Sequence, residues 1–229
     1  MELEPVVPSS GLGVIHLFCK VSEAGVDSAS ALSSVKSMVE DGYQVLSAAL
    51  LGHKADVCFM AMGSDLWRLR LFQTELAQSG LRAHSSYVSL TEVSEYAAGM
   101  PEERLNQRLY PKLPPQGKSA FCFYPMSKRR VPGQNWYELS YEDRERLMYD
   151  HGSTGRRFAG KVVQLVTGSA GLDDFEWGVT LFAEHIDDLK AVVYTMRFDE
   201  VSARYAEFGP FFAGMLADAH DVLMAVGAA

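Results

Sequence analysis

The sequence predicts an α+β fold built from two ferredoxin-like repeats. Short apolar runs typical of strands alternate with amphipathic segments typical of helices. Residues 161–196 repeat the order strand, turn, strand and helix that SAALLGHKADVCFMAMGSDLWRLRLFQTEL has about 120 residues earlier, which indicates an internal duplication. Each half would be β-α-β-β-α-β, with helices on one face of an antiparallel sheet. The opposite sheet face of each half is apolar and must also be buried.

The first half contains the elements of one such unit in chain order. After a loose arm over residues 1–11, the patterns predict strands in GVIHLFCKV, YQVLSAALLG, ADVCFMAMG and HSSYVSLTEVSEY and helices over residues 27–42 and 64–80. Asp27 or Ser28 would cap the first helix, and Ser64 would cap the second. We expect an N-terminal structural repeat over residues 1–99, a proline-bearing connector over 100–120 and a C-terminal repeat over 121–229.

Composition excludes several classes of protein. The 229 residues are 48% hydrophobic and carry a formal charge of −8, which argues against a general nucleic-acid binder. No apolar run is long enough to cross a bilayer, and the acidic start MELEPVVPSS is unlike a secretion signal. Three widely separated cysteines fit reduced thiols. We therefore expect a cytoplasmic protein with neither nucleic-acid nor membrane partners.

The stretch FCFYPMSKRR concentrates unusual chemistry in ten residues. Alternation predicts a strand with Phe121 and Phe123 on one face and Cys122 and Tyr124 on the other. Because proline cannot donate to a ladder, Pro125 predicts an edge or an end of this strand, with Tyr124 at its terminus. The cations that follow suit carboxylate or phosphate. Taken singly, such a tyrosine is more often a core residue, and SKRR is usually a solvated turn.

A helix is expected after this strand. Ser140 and Asp143 have the spacing of a capping box, and Leu147 and His151 lie four residues apart on one face. Gly152 would be the residue after the helix, so that His151 closes the last turn. A histidine in that position is commonly there because it suits the helix C-terminus.

Several motifs together resemble one known family. YPMSKRR, NWY, HGSTGR with FAGKV, Gln164, GLDDFEWGVTLF and MRFDEVSARYAEFGPFF are similar to the chlorite dismutase-like superfamily of heme proteins, and within it to the coproheme decarboxylases of monoderm and actinobacterial type. The resemblance is dense over residues 121–214 and thin before Leu90. It implies a dimeric-barrel subunit, formed by joining the two apolar sheet faces, and a homopentamer.

The resemblance assigns roles to residues of the second half. His151 matches the family's iron ligand, and neutral imidazole is a usual donor to heme iron. Tyr124 matches a tyrosine that is oxidised and then abstracts hydrogen from a propionate. Further residues match porphyrin contacts: Lys128, Arg197, Ser202, Met126, Trp136 and, in the loosely aligned connector, Arg108. For Arg197 the alternative is a strand-end salt bridge with Asp199 or Glu200. A carboxylate should orient His151, but the sequence does not identify it.

Gln164 separates close relatives. The resemblance implies arginine at this distal position in chlorite-decomposing members and glutamine in one branch of coproheme decarboxylases. Similar actinobacterial members often supply a distal histidine that deprotonates peroxide. No histidine lies between His84 and His151 here, and Gln107 lies in the approximate neighbourhood.

The resemblance therefore implies an enzyme of heme biosynthesis. Iron-coproporphyrin III would be substrate and redox cofactor, two molecules of hydrogen peroxide would be consumed, and heme b would be the product. Coproporphyrin ferrochelatase would act upstream. The alternatives are a heme peroxidase or chlorite-decomposing enzyme, which Gln164 disfavours, and a non-catalytic heme carrier or sensor, which would need His151 but not Tyr124.

Overall fold

The computed structural model describes residues 3–22, 24–97 and 99–228. Met1 and Glu2 of the expected N-terminal arm lie outside these ranges. The strands are β1 (Gly13–Val21), β2 (Gln44–Leu50), β3 (Val57–Gly63), β4 (Leu81–Thr91), β5 (Ala120–Lys128), β6 (Arg130–Val131), β7 (Gln134–Asn135), β8 (Val162–Gly168), β9 (Trp177–Ala183), β10 (Ala206–Phe208) and β11 (Phe212–Ala217). The α-helices are α1 (Ser28–Glu40), α2 (Leu66–Gln78), α3 (Glu102–Leu109), α4 (Tyr141–Arg156), α5 (Ile186–Met196), α6 (Glu200–Tyr205) and α7 (Ala219–Ala225).

Eight antiparallel strands close into a barrel, which confirms the α+β prediction of two joined ferredoxin-like units. The sheet order is β10-β5-β11-β2-β3-β1-β4-β8-β9, and β5 also pairs with β9. Elements β1 to β4 with α1 and α2 make one β-α-β-β-α-β unit, and β5, α4, β8, β9, α5 and β11 make the other. The units meet at two seams, β2 with β11 and β4 with β8. Closure removes the open edges that a single unit would expose. The division at residues 99 and 120 stays a prediction.

Aromatic side chains from both units fill the barrel interior. Phe121 and Phe123 point inward as their alternation predicts, and Phe18 of β1 stacks on Phe212 of β11 with ring centroids 3.8 Å apart. Each buried ring of this kind stabilises the fold by roughly 1.5–3 kcal/mol. The inner face that each unit leaves apolar is therefore buried against the other unit.

Helices cover the outer face differently in the two units. In the first unit α1 and α2 pack on the sheet, and α7 from the end of the chain joins them, with Val222 and Leu223 in the same apolar core. In the second unit α5 packs on β5 and β9, while α4 packs mainly against α5 and α6. The outer face of β8 is covered at Val162 but left open beyond it, so Gln164 and Val166 are exposed. No helix of the described ranges is long and apolar enough to span a bilayer.

Strand β5 does not end at Pro125, so the predicted strand end at Tyr124 is wrong. The strand pairs with β9 up to Met126 and continues to Lys128. Proline is tolerated because the neighbouring strand on the other side is interrupted there, with β10 ending at Phe208 and β11 starting at Phe212. The Pro125 carbonyl still accepts from the N–H of Gly209 at 2.9 Å.

Helix α4 continues beyond His151, so the predicted end at Gly152 is also wrong. Its start agrees with the prediction, since the Ser140 hydroxyl accepts from the N–H of Asp143. The helix runs to Arg156, and the glycine with a positive φ, +80°, is Gly160. Glycine is only mildly unfavourable inside a helix, so Gly152 does not have to end it. His151 therefore lies in the body of the helix.

Three smaller expectations of the first half also differ. The cap of α2 is Asp65 rather than Ser64, because the Asp65 carboxylate accepts from the N–H of Trp67. Strand β4 covers residues 81–91 instead of 84–96. The connector contains the helix α3, whose first turn carries two glutamates that suit a helix N-terminus.

Candidate functional site

A histidine and a carboxylate form the base of the site. Nδ1 of His151 lies 3.1 Å from Oδ1 of Asp199, and the His151 side chain is 27% exposed. Burial acts to raise the pKa of Asp199, but hydrogen bonds from His151 and Ser202 hold it below its ordinary value. An ionised carboxylate can only accept, so Nδ1 carries the hydrogen and donates it. The lone pair then stands on Nε2, where it can bind a metal.

Asp199 is the orienting carboxylate that the sequence could not identify. It is the N-cap of α6, where it accepts from the N–H of Ser202 at 3.0 Å and from the Ser202 hydroxyl at 3.2 Å. In the sequence DEVS, Asp199 stands three positions before Ser202, and an aspartate at that spacing is a recognisable N-cap signal. Ser202, predicted to contact a propionate, thus donates its hydroxyl to Asp199 and is brought to the same site as His151.

Tyr124 is buried on the outer face of β5. It is 8% exposed and stacks on Phe211 with ring centroids 4.5 Å apart, while Phe208 contacts its edge. Burial raises the pKa of the Tyr124 phenol, and the nearby Cys122 adds to this effect while Arg197 opposes it. The phenol therefore stays protonated at neutral pH, which is the state that can give up a hydrogen atom.

Arg197 lies beside this aromatic group. It is the C-cap residue of α5, so the alternative of a strand-end salt bridge is wrong. Its guanidinium stands 5.0 Å from the centroid of the Phe208 ring. Within the ranges that the structure describes, it makes no ion pair with Asp199 or Glu200. Its charge therefore remains available to a ligand carboxylate.

Lys128 is a buried cation at the end of β5. It is 8% exposed, and its Nζ lies 4.3 Å from the centroid of the Trp136 ring. Burial lowers the pKa of Lys128 to about 8, although the charges of Asp199 and Glu176 oppose this shift. Trp136 is itself 3% exposed and contacts Tyr205 edge to face. A buried ammonium on an aromatic ring is well suited to bind a carboxylate.

Of the remaining predicted residues, Gln164 and Met126 lie on the sheet face of Tyr124, and Arg108 lies apart from them. Gln164 faces outward on β8 opposite Leu181 of β9, and Tyr124 faces outward on β5 opposite Val179, so the two share one sheet face. Met126 is half-buried on that face, against the same cluster. Arg108 is exposed on the last turn of α3, and no described hydrogen bond or ion pair joins it to the others.

The arrangement combines four kinds of group that an iron porphyrin with carboxylate side chains would use. These are an oriented imidazole, a buried protonated phenol, two cations and an uncharged amide on an open sheet face. A single imidazole suits an iron whose other four ligands come from a porphyrin. The donor set therefore fits such a group.

Comparisons with known proteins agree with this chemistry. The sequence model of the family described as chlorite dismutase matches residues 24–217. A curated protein of Staphylococcus carnosus (strain TM300), named coproheme decarboxylase, is 47% identical over 177 residues, which is 72% of this chain and 70% of that protein.

Solved structures show the same fold. A heme-binding protein from Thermus thermophilus superimposes with a TM-score of 0.84 at 34% identity, covering 99% of this chain and 100% of its own. A mutant chlorite dismutase from Candidatus Nitrospira defluvii gives a TM-score of 0.77 at 19% identity, covering 96% of this chain and 97% of its own. The second likeness is one of fold alone.

Proposed function

This chain belongs to the chlorite dismutase family, and on that premise we propose that it is a coproheme decarboxylase of heme biosynthesis. Its substrate is iron-coproporphyrin III and its product is heme b. The relative at 47% identity supports an enzyme of this kind. The observation that carries the finer proposal is the buried, protonated Tyr124. It precedes Lys128 by four residues on β5, lies near the charge of Arg197 and shares a sheet face with Gln164.

The reaction converts two propionates into vinyl groups. Each propionic acid group reacts with one hydrogen peroxide to give one vinyl group, one carbon dioxide and two waters. The propionate β-carbon is unactivated, so a one-electron oxidant must be held in contact with it. Hydrogen peroxide supplies the oxidising equivalents, and the bound iron porphyrin, as substrate and redox cofactor, would pass them on to the residues of the chain.

The residues of the chain then have separate tasks. His151 holds the iron through Nε2, with Asp199 fixing its tautomer. Tyr124 would lose its phenolic hydrogen atom, as a proton and an electron, to the peroxide-oxidised porphyrin and would in turn take a hydrogen atom from the propionate β-carbon. The carboxylate would then leave as carbon dioxide, and the electron released as the vinyl group forms would return to the oxidised porphyrin. Lys128, Arg197 and the Ser202 hydroxyl bind propionates.

Gln164, Met126 and Trp136 line the porphyrin. An uncharged amide at position 164 gives no cation to hold an oxyanion such as chlorite, which favours decarboxylation. No histidine lies between His84 and His151 to take the proton of peroxide, so peroxide activation either is slow or relies on water or hydroxide.

The assembly and setting complete the proposal. The first repeat is structural, the second repeat binds the porphyrin, and the chain forms a homopentamer in the cytoplasm. Coproporphyrin ferrochelatase supplies the substrate. Arg108 remains a propionate contact that would require α3 to approach the site.

A mass-spectrometric titration tests the reaction. Apoprotein is loaded with iron-coproporphyrin III, hydrogen peroxide is added stepwise, and the porphyrin is followed by mass. The expected result is sequential loss of two carboxyl groups through a three-propionate intermediate. Tight binding without any change of mass would overturn the decarboxylase and leave a carrier or peroxidase.

Tyr124→Phe tests the tyrosyl step. This variant should bind the porphyrin with unchanged affinity but yield no vinyl product, because phenylalanine has no phenolic hydrogen. Tyr149→Phe, at a side chain that is 69% exposed, is the matched control and should keep full turnover. Undiminished product from Tyr124→Phe would refute the tyrosyl mechanism.

A further inference from the structure

Glu176 holds the last two residues of β5, which extend beyond the ladder that β5 forms with β9. The ladder between β5 and β9 ends at the pair of Met126 and Trp177. Oε2 of Glu176 accepts from the backbone N–H of Lys128 at 2.7 Å. The N–H of Glu176 donates to the carbonyl of Met126 at 3.1 Å and to the Ser127 hydroxyl at 3.1 Å. The carboxylate thus takes the place of a missing strand residue.

The same carboxylate is one of two negative charges that oppose the effect of burial on Lys128. Glu176 approaches from the turn before β9, and Asp199 approaches from the start of α6. The ring of Trp136 covers a further side of Lys128. Glu176 is itself faced by Arg130, whose Nη1 lies 3.9 Å from Oε1, and by the Tyr137 phenol. The Glu176 side chain is only 12% exposed, so its charge is weakly screened.

We propose that Glu176 is a positioning residue for the porphyrin substrate. Its carboxylate fixes the backbone of Lys128 and keeps the Lys128 side chain cationic, so that the ammonium is ready for a propionate. This inference rests on the proposed function, which assigns Lys128 to a propionate. It adds that an acidic residue outside the ligand contacts controls how strongly the site binds an acidic ligand.

Two variants separate the geometric effect from the electrostatic one. Glu176→Gln keeps an oxygen acceptor for the Lys128 N–H but removes the charge, whereas Glu176→Ala removes both. Glu184→Gln, at a side chain that is 67% exposed, is the matched control. The melting temperature of each apoprotein shows whether the fold is retained.

The first readout needs no porphyrin. The rate at which acetic anhydride modifies Lys128 in the apoprotein is measured against pH by peptide mass spectrometry. In Glu176→Gln the midpoint should fall by about one pH unit, because a nearby negative charge stabilises the ammonium. The control should keep the wild-type midpoint. An unchanged midpoint in Glu176→Gln would overturn the electrostatic half of the inference.

The second readout is equilibrium binding followed by absorbance. Glu176→Ala should weaken iron-coproporphyrin III about tenfold at pH 7, since a buried donor loses its partner, and should weaken heme b less. In Glu176→Gln, loss of affinity at alkaline pH should begin about one unit lower. Unchanged affinity in both variants at every pH would overturn the positioning role. If the wild type does not bind iron-coproporphyrin III, the proposed function fails, while the acetylation experiment still tests the coupling to Lys128.

Discussion

Oδ1 of Asp199 lies 3.1 Å from Nδ1 of His151, although the two residues are 48 positions apart in the chain. The carboxylate is held by the first turn of α6, and the imidazole by the body of α4. Two separate helices therefore determine the direction in which Nε2 points.

Asp199→Asn should weaken iron porphyrin binding about tenfold, because the imidazole loses the charge that makes it a better donor. Asparagine also caps helices well, so the free energy of unfolding should change little. Absorbance titration and the iron–histidine stretching frequency check this result. Asp187→Asn, on the first turn of α5, is the control. A normal affinity with a normal stretching frequency would show that Asp199 does not tune His151.

Lys128→Met should stabilise the apoprotein at pH 7 by about 2 kcal/mol. The pKa of Lys128 falls from 10.5 to about 8 on folding, so the unfolded chain binds more protons in that window. Wild-type stability should therefore rise as pH rises from 8 to 10.5. This difference between the folded and unfolded pKa corresponds to a cost of roughly 3 kcal/mol for keeping the lysine charged in the folded protein. Removing the lysine avoids that cost but also loses the contact with Trp136, which is worth about 1 kcal/mol.

Urea unfolding at pH 7 and pH 10 measures this difference, with Lys190→Met on the exposed side of α5 as the control. The advantage of Lys128→Met should be smaller at pH 10 than at pH 7. If Lys128→Met is less stable than wild type at pH 7, the charged lysine is stabilised by its surroundings, and the prediction is wrong.

Gly152→Ala should raise the stability of the apoprotein by up to about 1 kcal/mol, because α4 continues through this position. The nearest atom to an added Cβ is the Arg156 guanidinium, 3.7 Å away. Gly214→Ala should instead destabilise by about 1–3 kcal/mol, since its Cβ would clash with the Ala49 carbonyl at the seam between β11 and β2. Urea unfolding of both variants is the measurement. A loss of stability in Gly152→Ala would mean that the helix ends there after all.

His16 should make the protein sensitive to acid. It is fully buried in the barrel, where its Nε2 lies 3.0 Å from the Thr180 hydroxyl, and burial lowers its pKa from 6.5 to about 3. As pH falls, His16 is therefore protonated in the unfolded chain but stays neutral in the folded barrel. The stability that the neutral His16 contributes is fully present above pH 6.5. It is lost as pH falls, and the loss reaches roughly 2–3 kcal/mol at pH 4.5.

The acid loss is measured as the difference between His16→Gln and wild type from pH 7 to 4.5. His16→Gln should lose less stability over this range than wild type, even if it is less stable at pH 7. His220→Gln, at an exposed histidine, should follow the wild type. If the free energy of unfolding falls equally with pH in all three proteins, His16 is not held neutral by burial and the prediction is wrong.

Local patterns predicted most of the fold because they depend only on neighbouring residues. The period of two placed Phe123 inside the barrel and Tyr124 outside it, and the duplication predicted the two units. The ends of elements were less certain, since they depend on tertiary contacts. Gly152 lies inside α4, and Pro125 is tolerated because a neighbouring strand is interrupted beside it.

The site could be predicted only in part for the same reason. His151, Tyr124 and Lys128 were proposed from motifs of contiguous residues, and their roles stay predictions. Asp199 and Glu176 act on His151 and Lys128 from distant turns, and no local spacing records those pairings. Their roles depend on burial, which sequence alone does not give.

The position of α7 has a consequence for synthesis of the chain. Val222 and Leu223 are part of the core that also contains Leu17 and Phe59 of the first unit. A ribosome must therefore translate the whole second half of the chain before the first half can finish packing. The order of translation is thus not the order of folding, and a chain arrested near residue 100 should expose the apolar surface that α7 later covers.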